Sequence, residues 1–202
     1  MESTAKSIEE KIYSFRKPGF VFAPRDFATL GSDESIRQTL TRLANKGVIR
    51  RIGRGLYDKP QYNNYLGKIM PPNYYEAAMA IARANNWTVA PSGNTALNQL
   101  GLSTQVSAHW TFVSDGPYKK YSINGNTIEF KRRANREISH MAPKTIMVVQ
   151  ALKALGKSTL TDDFIQRLNA NLKDCDKQNL LAETNKASAW VRDVIGKVCR
   201  GK

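Results

Sequence analysis

The stretch SDESIRQTLTRLANKGVIRRIGRGLYD, residues 32–58, limits what this chain can fold into more than any other part of it. Ser32 is suited to cap a helix, because its hydroxyl accepts a bond from an otherwise unpaired N–H of the first turn. Asp33 and Glu34 then fall where the helix dipole favours negative charge. Ile36, Leu40, Leu43 and Ala44 recur at helical spacing, so one face of the helix goes into a core. Gly47 can take the left-handed conformation that ends a helix. Val48 and Ile49 begin a strand, Gly53-Arg54-Gly55 turns it, and Leu56-Tyr57 returns.

The face opposite the apolar stripe carries Arg37, Gln38, Thr41, Arg42 and Asn45. These residue types read base edges and hold phosphates. With the arginines of the hairpin, Arg50, Arg51 and Arg54, the unit resembles the recognition helix and wing of a winged helix-turn-helix domain. The geometry of that fold puts Arg37, Gln38, Thr41 and Arg42 in or beside the major groove, the start of the helix nearest the bases. Gln38 suits adenine and an arginine suits guanine. Ser32 and Ser35 are in reach of a phosphate, and Arg50, Arg51 and Arg54 are expected on phosphates, Arg54 with the minor groove as a second option. The upstream sequence has the matching order. Ser7-Ile8-Glu9-Glu10 has the form of a capping box, with Ile8, Ile12 and Phe15 following at helical spacing. Pro18-Gly19 stops that helix, Phe20-Val21-Phe22 is a short β-type run, and Pro24 opens a second short helix through Leu30. The expected DNA-binding domain is 1–66.

Charge supports a polyanionic partner. The formal net charge is +14, far from neutral for 202 residues, and points to nucleic acid before an acidic protein or membrane surface. The excess is spread along the chain: residues 1–66 hold 12 basic and 7 acidic residues, residues 67–140 hold 8 and 4, and residues 141–202 hold 11 and 6. A generally basic surface therefore accounts for part of it. Cys175 and Cys199 give neither a disulfide framework nor a metal spacing, and fit a reducing compartment. No run has the length of a membrane span and the N-terminus lacks a signal-peptide core, so the expected location is cytoplasmic, without membrane contact.

Residues 59–72, KPQYNNYLGKIMPP, are polar and proline-bounded and read as a linker or extended arm. The second domain is expected over 67–202, mixed α/β to 140 and helical from 141. An Ala-rich helix from Asn73 to about Asn86 turns Tyr75, Ala78, Met79 and Ala82 inward. Trp87-Thr88-Val89 reads as a short strand, followed by a turn and a short helix stopped at Gly101. Trp110 to Ser114, Lys119 to Ile123 and Thr127 to Lys131, with Asp115-Gly116 and Asn124-Gly125 as turn signals, predict a small antiparallel meander. Ile146 to Leu155, Leu160 to about Leu172, a segment around Leu180-Leu181 and a last stretch with Trp190, Val191, Val194, Ile195 and Val198 on one side predict C-terminal helices. The fold class expected is α+β.

Other chemistry is thinly marked. Lys131, Arg132, Arg133 and Arg136 form a basic run that reads as a secondary surface or as a strand end kept soluble by charge. Asp115 with Glu129 and Lys131 has the outline of a metal-dependent nuclease, since period-2 alternation puts Glu129 and Lys131 on one face. An E-x-K triplet alone is weak, and the reading preferred is no enzyme, no metal and no cofactor. His109 and His140 lack a nucleophile or carboxylate arrangement. Ser92-Gly93-Asn94-Thr95 and Lys157-Ser158-Thr159 suggest phosphate loops only faintly and read as turns and caps.

The segments APSGNTALNQLGLSTQV, WTFVSDG, IEFKRR, VVQALKALGK and KASAWVRDVI together resemble the AbiEi family of antitoxins, which belong to type IV abortive-infection toxin–antitoxin systems. The resemblance runs from about Ser7 to Val198, with SGNTALNQLGL its most distinctive piece. It implies an N-terminal winged helix, a C-terminal antitoxin domain, and a transcriptional repressor that autoregulates its operon through double-stranded DNA at its own promoter. It further implies a cognate nucleotidyltransferase-like toxin, counteracted with or without a stable complex. The expected state is a monomer in solution or a weak dimer on DNA. A plain winged-helix regulator with a ligand-sensing or dimerisation domain is the other reading in that class.

Overall fold

In the computed structural model, which describes residues 4–105, 108–133 and 141–200, the first helix, α1 (Thr4–Ser14), begins upstream of the Ser7 cap expected from sequence. A serine inside a helix costs little, and burial of Ile8 and Ile12 decides where the helix lies. The strand β1 (Val21–Phe22) follows. The second short helix expected through Leu30 is a single 3-10 turn, Pro24–Phe27, closed when Asp26 Oδ2 accepts the Ala23 N–H at 2.9 Å. Then come α2 (Asp33–Asn45), β2 (Arg50–Gly53) and β3 (Leu56–Asp58). These strands form a small antiparallel sheet in the order β1-β3-β2. The core beneath it is Ile8, Ile12, Phe22, Phe27, Ile36, Leu40, Leu43, Ile49 and Tyr57.

Residues expected to be a linker are an antiparallel hairpin instead, β4 (Tyr62–Asn63) paired with β5 (Lys68–Ile69). Its ends are closed by the Met70 N–H donating to the Gln61 carbonyl at 2.7 Å. Helix α3 (Tyr74–Asn85) is capped by Asn73, whose side chain accepts from the Glu76 N–H. Arg83 binds Asp26 at 3.2 Å and donates to the Val21 carbonyl at 2.8 Å, while Lys17 pairs with buried Glu76 at 2.5 Å. These bonds explain where the compact units divide: Met1–Trp87 with Ser122–Asn124, and Thr88–Tyr121 with Gly125–Lys202. The sequence boundary at 66/67 leaves α3 on the other side, because a helix's composition does not say which neighbour its charged side chains reach.

After residue 87 come β6 (Val89–Pro91), α4 (Gly93–Gln99), β7 (His109–Ser114), β8 (Lys119–Ile123, its last two residues grouped with the first unit) and β9 (Asn126–Arg132). Their sheet runs β6-β7-β9-β8. The expected meander is corrected here. β7 pairs parallel with β9, register Phe112 to Phe130, and β8 is displaced to the edge. The reason is visible at both turns. Asn124 (φ 47°) and Gly125 (φ 78°) make the tight β8–β9 hairpin that sequence predicts. Asp115, in contrast, extends the β6–β7 ladder: its N–H donates to the Thr88 carbonyl and its carboxylate accepts the Thr88 N–H at 2.8 Å. Fully buried Ile128 and Phe130 suit a central strand, and Lys119 and Lys120 suit an edge.

Helices complete the unit: α5 (Pro143–Leu155), α6 (Asp162–Ala170), α7 (Asp174–Glu183) and α8 (Ala189–Arg200). Residues 145–152 of α5 are all buried, Thr145 and Gln150 among otherwise apolar side chains, so this stretch has no solvent-facing polar side. Ala96, Leu100, Val148, Leu152, Leu168, Leu180, Val191 and Val198 meet in the core. Lys157–Thr159 is a 3-10 turn, and the cap of the next helix is Thr161, accepting from Phe164 N–H at 3.2 Å. No helix among the described residues is long and apolar enough to cross a membrane.

Candidate nucleic-acid interface

Both ends of α2 are fixed by the chemistry of its sequence. Ser32 Oγ accepts the Ser35 N–H at 3.3 Å, and Ser35 Oγ returns a bond to the Ser32 carbonyl at 3.0 Å. The Ser35 hydroxyl proton is therefore used within the cap, whereas the Ser32 hydroxyl only accepts there and keeps its own O–H to donate, beside the positive end of the helix dipole. At the other end Gly47 (φ 72°) lets the Val48 N–H reach the Leu43 carbonyl and its own N–H reach Ala44, which satisfies two terminal acceptors. Ile36, Thr39, Leu40 and Leu43 are buried on one face.

The other face is solvent-facing and continuous. Arg37, Gln38, Thr41, Arg42, Asn45 and Lys46 line one shallow surface. Gln38 donates to Glu34 at 3.2 Å, and Arg37 lies 3.8 Å from Asp33 with both side chains exposed. An exposed pair of that kind contributes about 0–1 kcal/mol, so opening it frees both side chains at small cost.

The hairpin brings further arginines to the same side. Gly53 pairs with Leu56, which leaves Arg54 and Gly55 as the two-residue turn. Gly55 has φ 68°, so a side chain there would be strained, and the exposed Arg54 sits at the tip. Pro24, Arg25, Arg37, Thr41, Arg51 and Arg54 line one groove of about 790 Å³, with Asp33 on its wall. The structure thus joins Arg37, Thr41, Arg51 and Arg54, predicted from two separate segments. It also adds Arg25, whose guanidinium donates to the Ala84 carbonyl at 3.0 Å. Sequence reasoning missed Arg25 and Lys46. Lys46 lies one helical step beyond Arg42 and was within reach of the periodicity. Arg25 was not, because it arrives from the 3-10 turn through tertiary packing.

Arg50 leaves the predicted set. Its guanidinium binds buried Asp58 through both oxygens, at 2.9 and 2.5 Å, and donates to the Met70 carbonyl at 3.0 Å. Half-buried, it ties β2 to β3 and to the end of the β4–β5 hairpin.

The secondary basic surface is of another kind. Lys131, Arg132 and Arg133 are exposed at the end of β9, and Arg136 and His140 lie outside the described residues. Glu129, on the same strand, accepts the Tyr118 hydroxyl at 2.7 Å, with Lys120 at 3.4 Å and Lys131 at 3.7 Å. The Tyr118 bond and the two ammonium groups hold the Glu129 carboxyl below the usual carboxylate range against partial burial, and Lys120 is pushed up first by its interaction with the Tyr118 hydroxyl and then by the Glu129 carboxylate. Asp115 is spent on the Thr88 backbone. The Asp115–Glu129–Lys131 outline therefore gathers no pair of carboxylates free for an ion, and no group of three or more His, Cys, Asp or Glu placed to hold a metal occurs among the described residues.

With this geometry the chain belongs to DUF6088, a family of unknown function, whose model matches residues 7–180. No curated protein matches the chain. Among solved structures it is similar to the RV2827C protein from Mycobacterium tuberculosis, at 12% identity, covering 100% of this chain and 78% of that chain with a TM-score of 0.43.

Proposed function

We propose that the first unit is a winged helix-turn-helix domain that binds duplex DNA, with α2 as the recognition helix and the β2–β3 hairpin as the wing. The observation that carries this reading is the groove shared by Arg25, Arg37, Thr41, Arg51 and Arg54 beside the polar outer face of α2. A helix of this diameter fits the major groove, and guanidinium groups beside it suit phosphates and guanine edges. Gln38 and Arg37, near the start of the helix, are the residues in position to read bases. Arg42, Lys46, Arg51 and Arg54 are in position to hold phosphates, and their number sets the salt dependence of binding.

Within that class the protein acts as a repressor of its own promoter and as the antitoxin of a type IV toxin–antitoxin system, with a nucleotidyltransferase-like toxin as partner. The support for this finer step is the family resemblance of the segments from Pro91 onward, not the groove. The test has two arms. A footprint on the DNA immediately upstream of the gene should be protected by the full chain and lost with Arg37→Ala plus Arg54→Ala. Co-expression with a nucleotidyltransferase-like protein encoded next to the gene should restore growth that this partner alone arrests. Unprotected DNA removes the DNA-binding reading; protected DNA without growth rescue leaves a regulator that is not an antitoxin.

A further inference from the structure

The β4–β5 hairpin, which the DNA-binding surface described above does not use, has an unusual exterior. Tyr65 is 96% exposed, Tyr62 62%, Ile69 58% and Leu66 50%. Tyr65 and Leu66 lie in the turn and Tyr62 pairs with Ile69 in the ladder below it, and large apolar side chains gathered on one exposed hairpin mark an interaction site. The tip is ordered by its own sequence: Asn63 Oδ1 accepts the Leu66 N–H at 3.0 Å, and Gly67 takes φ 62°. Its base is held by the bond from the Arg50 guanidinium to the Met70 carbonyl. The hairpin is therefore a braced projection whose apolar tip is built to be presented.

Two observations say to what. Residues 59–70 contain Lys59 and Lys68 and no acidic residue. And Ile69 lines the same concavity as Thr41, Asn45 and Arg51, at the C-terminal end of α2. A surface beside the reading helix, apolar at its tip and without acids, has the chemistry of a minor-groove element: apolar wedges press between base steps while a neighbouring lysine meets the phosphates.

We infer that the β4–β5 hairpin is a second DNA-contacting element, in which Tyr65 and Leu66 enter the minor groove next to the segment read by α2 and Lys68 holds the adjoining phosphate. The inference rests on the DNA-binding reading of α2. It goes beyond it by predicting a longer contact and a bend in the duplex, since wedges of this kind unstack a step and kink the helix away from the inserted side.

The experiment uses the full chain, the DNA immediately upstream of the gene as probe, and three proteins: wild type, Tyr65→Ala plus Leu66→Ala, and Arg37→Ala plus Arg54→Ala. Hydroxyl-radical footprints and circularly permuted fragments read contact length and bend. The tip variant should lose protection on one flank, lose the bend, and bind roughly tenfold more weakly, with the α2-centred protection kept. Lys68→Ala should lower the log–log salt slope by about 0.9. The exposure of Tyr65 means the tip variant folds, and an unchanged thermal transition verifies it. If the tip variant protects and bends DNA as wild type does while the arginine variant loses binding, the hairpin inference is overturned and the α2 reading stands. If wild type protects no DNA, both fall. If the tip variant instead shifts the sedimentation of the free protein with its footprint intact, the hairpin is a contact between copies of the chain and the inference is likewise overturned.

Discussion

Two basic regions of this protein look alike as sequence and differ in what surrounds their charges. On α2 and the β2–β3 hairpin, Arg37 has its acid partner Asp33 in solvent, at 3.8 Å with both side chains more than two-thirds exposed. On β8 and β9, Lys120 and Lys131 flank Glu129, whose side chain is 16% exposed and which also accepts Tyr118. The first arrangement holds its cations loosely and can transfer them to a polyanion. The second uses part of its positive charge internally. A count of lysines and arginines does not separate the two; the burial of the acid among them does. Arg50 repeats the lesson inside the first unit, where two neighbouring arginines of one strand face opposite fates because Asp58 is buried opposite one of them.

The largest effect that sharpens this contrast is on stability. Arg50→Ala leaves the Asp58 carboxylate buried without its guanidinium; removing one partner of a fully buried pair costs about 3–5 kcal/mol, and because the Arg50 side chain is 26% exposed that figure is the ceiling for this variant. Arg54→Ala, at an exposed turn, should stay within about 0.5 kcal/mol. Urea denaturation of the two variants, compared by midpoint at equal slope, checks both. An Arg50→Ala protein as stable as wild type would mean that the arginine is free to serve DNA after all. Next in size is binding: Arg37→Ala plus Arg54→Ala should weaken affinity for the upstream DNA by about 1–3 kcal/mol for the base-reading arginine. The phosphate-holding one should lower the salt slope by about 0.9. Fluorescence anisotropy over a salt series measures each.

How far the sequence carried the fold follows from which forces were local. Ser32, the 36–40–43 stripe and Gly47 made α2 legible from its N-cap to its stop, because caps and periodicity are properties of neighbours in the chain, although the strand after it begins at Arg50 and not at Val48. The Asn124-Gly125 turn was legible for the same reason. The strand order was not, since Asp115-Gly116 has the composition of a hairpin turn while its carboxylate is used by Thr88, distant in sequence. The candidate site divides in the same way. Arg37, Gln38, Thr41 and Arg42 were readable from one helix face. Arg25 came from packing, and the withdrawal of Arg50 depended on Asp58 across a strand pair and on Met70 beyond it. The polar composition of residues 59–72 concealed a hairpin because its two strands are short and mutually paired, with no apolar face to bury.

The smaller effects probe the β8–β9 side of the comparison. Glu129 has its carboxyl lowered, first by the Tyr118 hydroxyl and then by Lys131 and Lys120. A carboxyl with a lower value in the folded than in the unfolded chain contributes stability that is fully present above the unfolded value and is lost as pH falls through the folded one. Glu129→Gln should therefore be less stable than wild type near neutral pH, and the difference should shrink as pH falls below the ordinary carboxylate range and through the lowered folded-state value. Chemical denaturation over an acid-to-neutral pH series checks the sign; a gap that widens on acidification would show that Glu129 is not held ionised by its neighbours. The smallest effect expected is on DNA. Lys120→Ala plus Lys131→Ala removes two charges that Glu129 already balances in part, so the salt slope of binding should fall by well under the roughly 1.8 that two phosphate contacts would give. A fall of that full size would place the β8–β9 edge on the nucleic acid, and the distinction between available and internally used charge would then fail at the site where it is drawn most sharply.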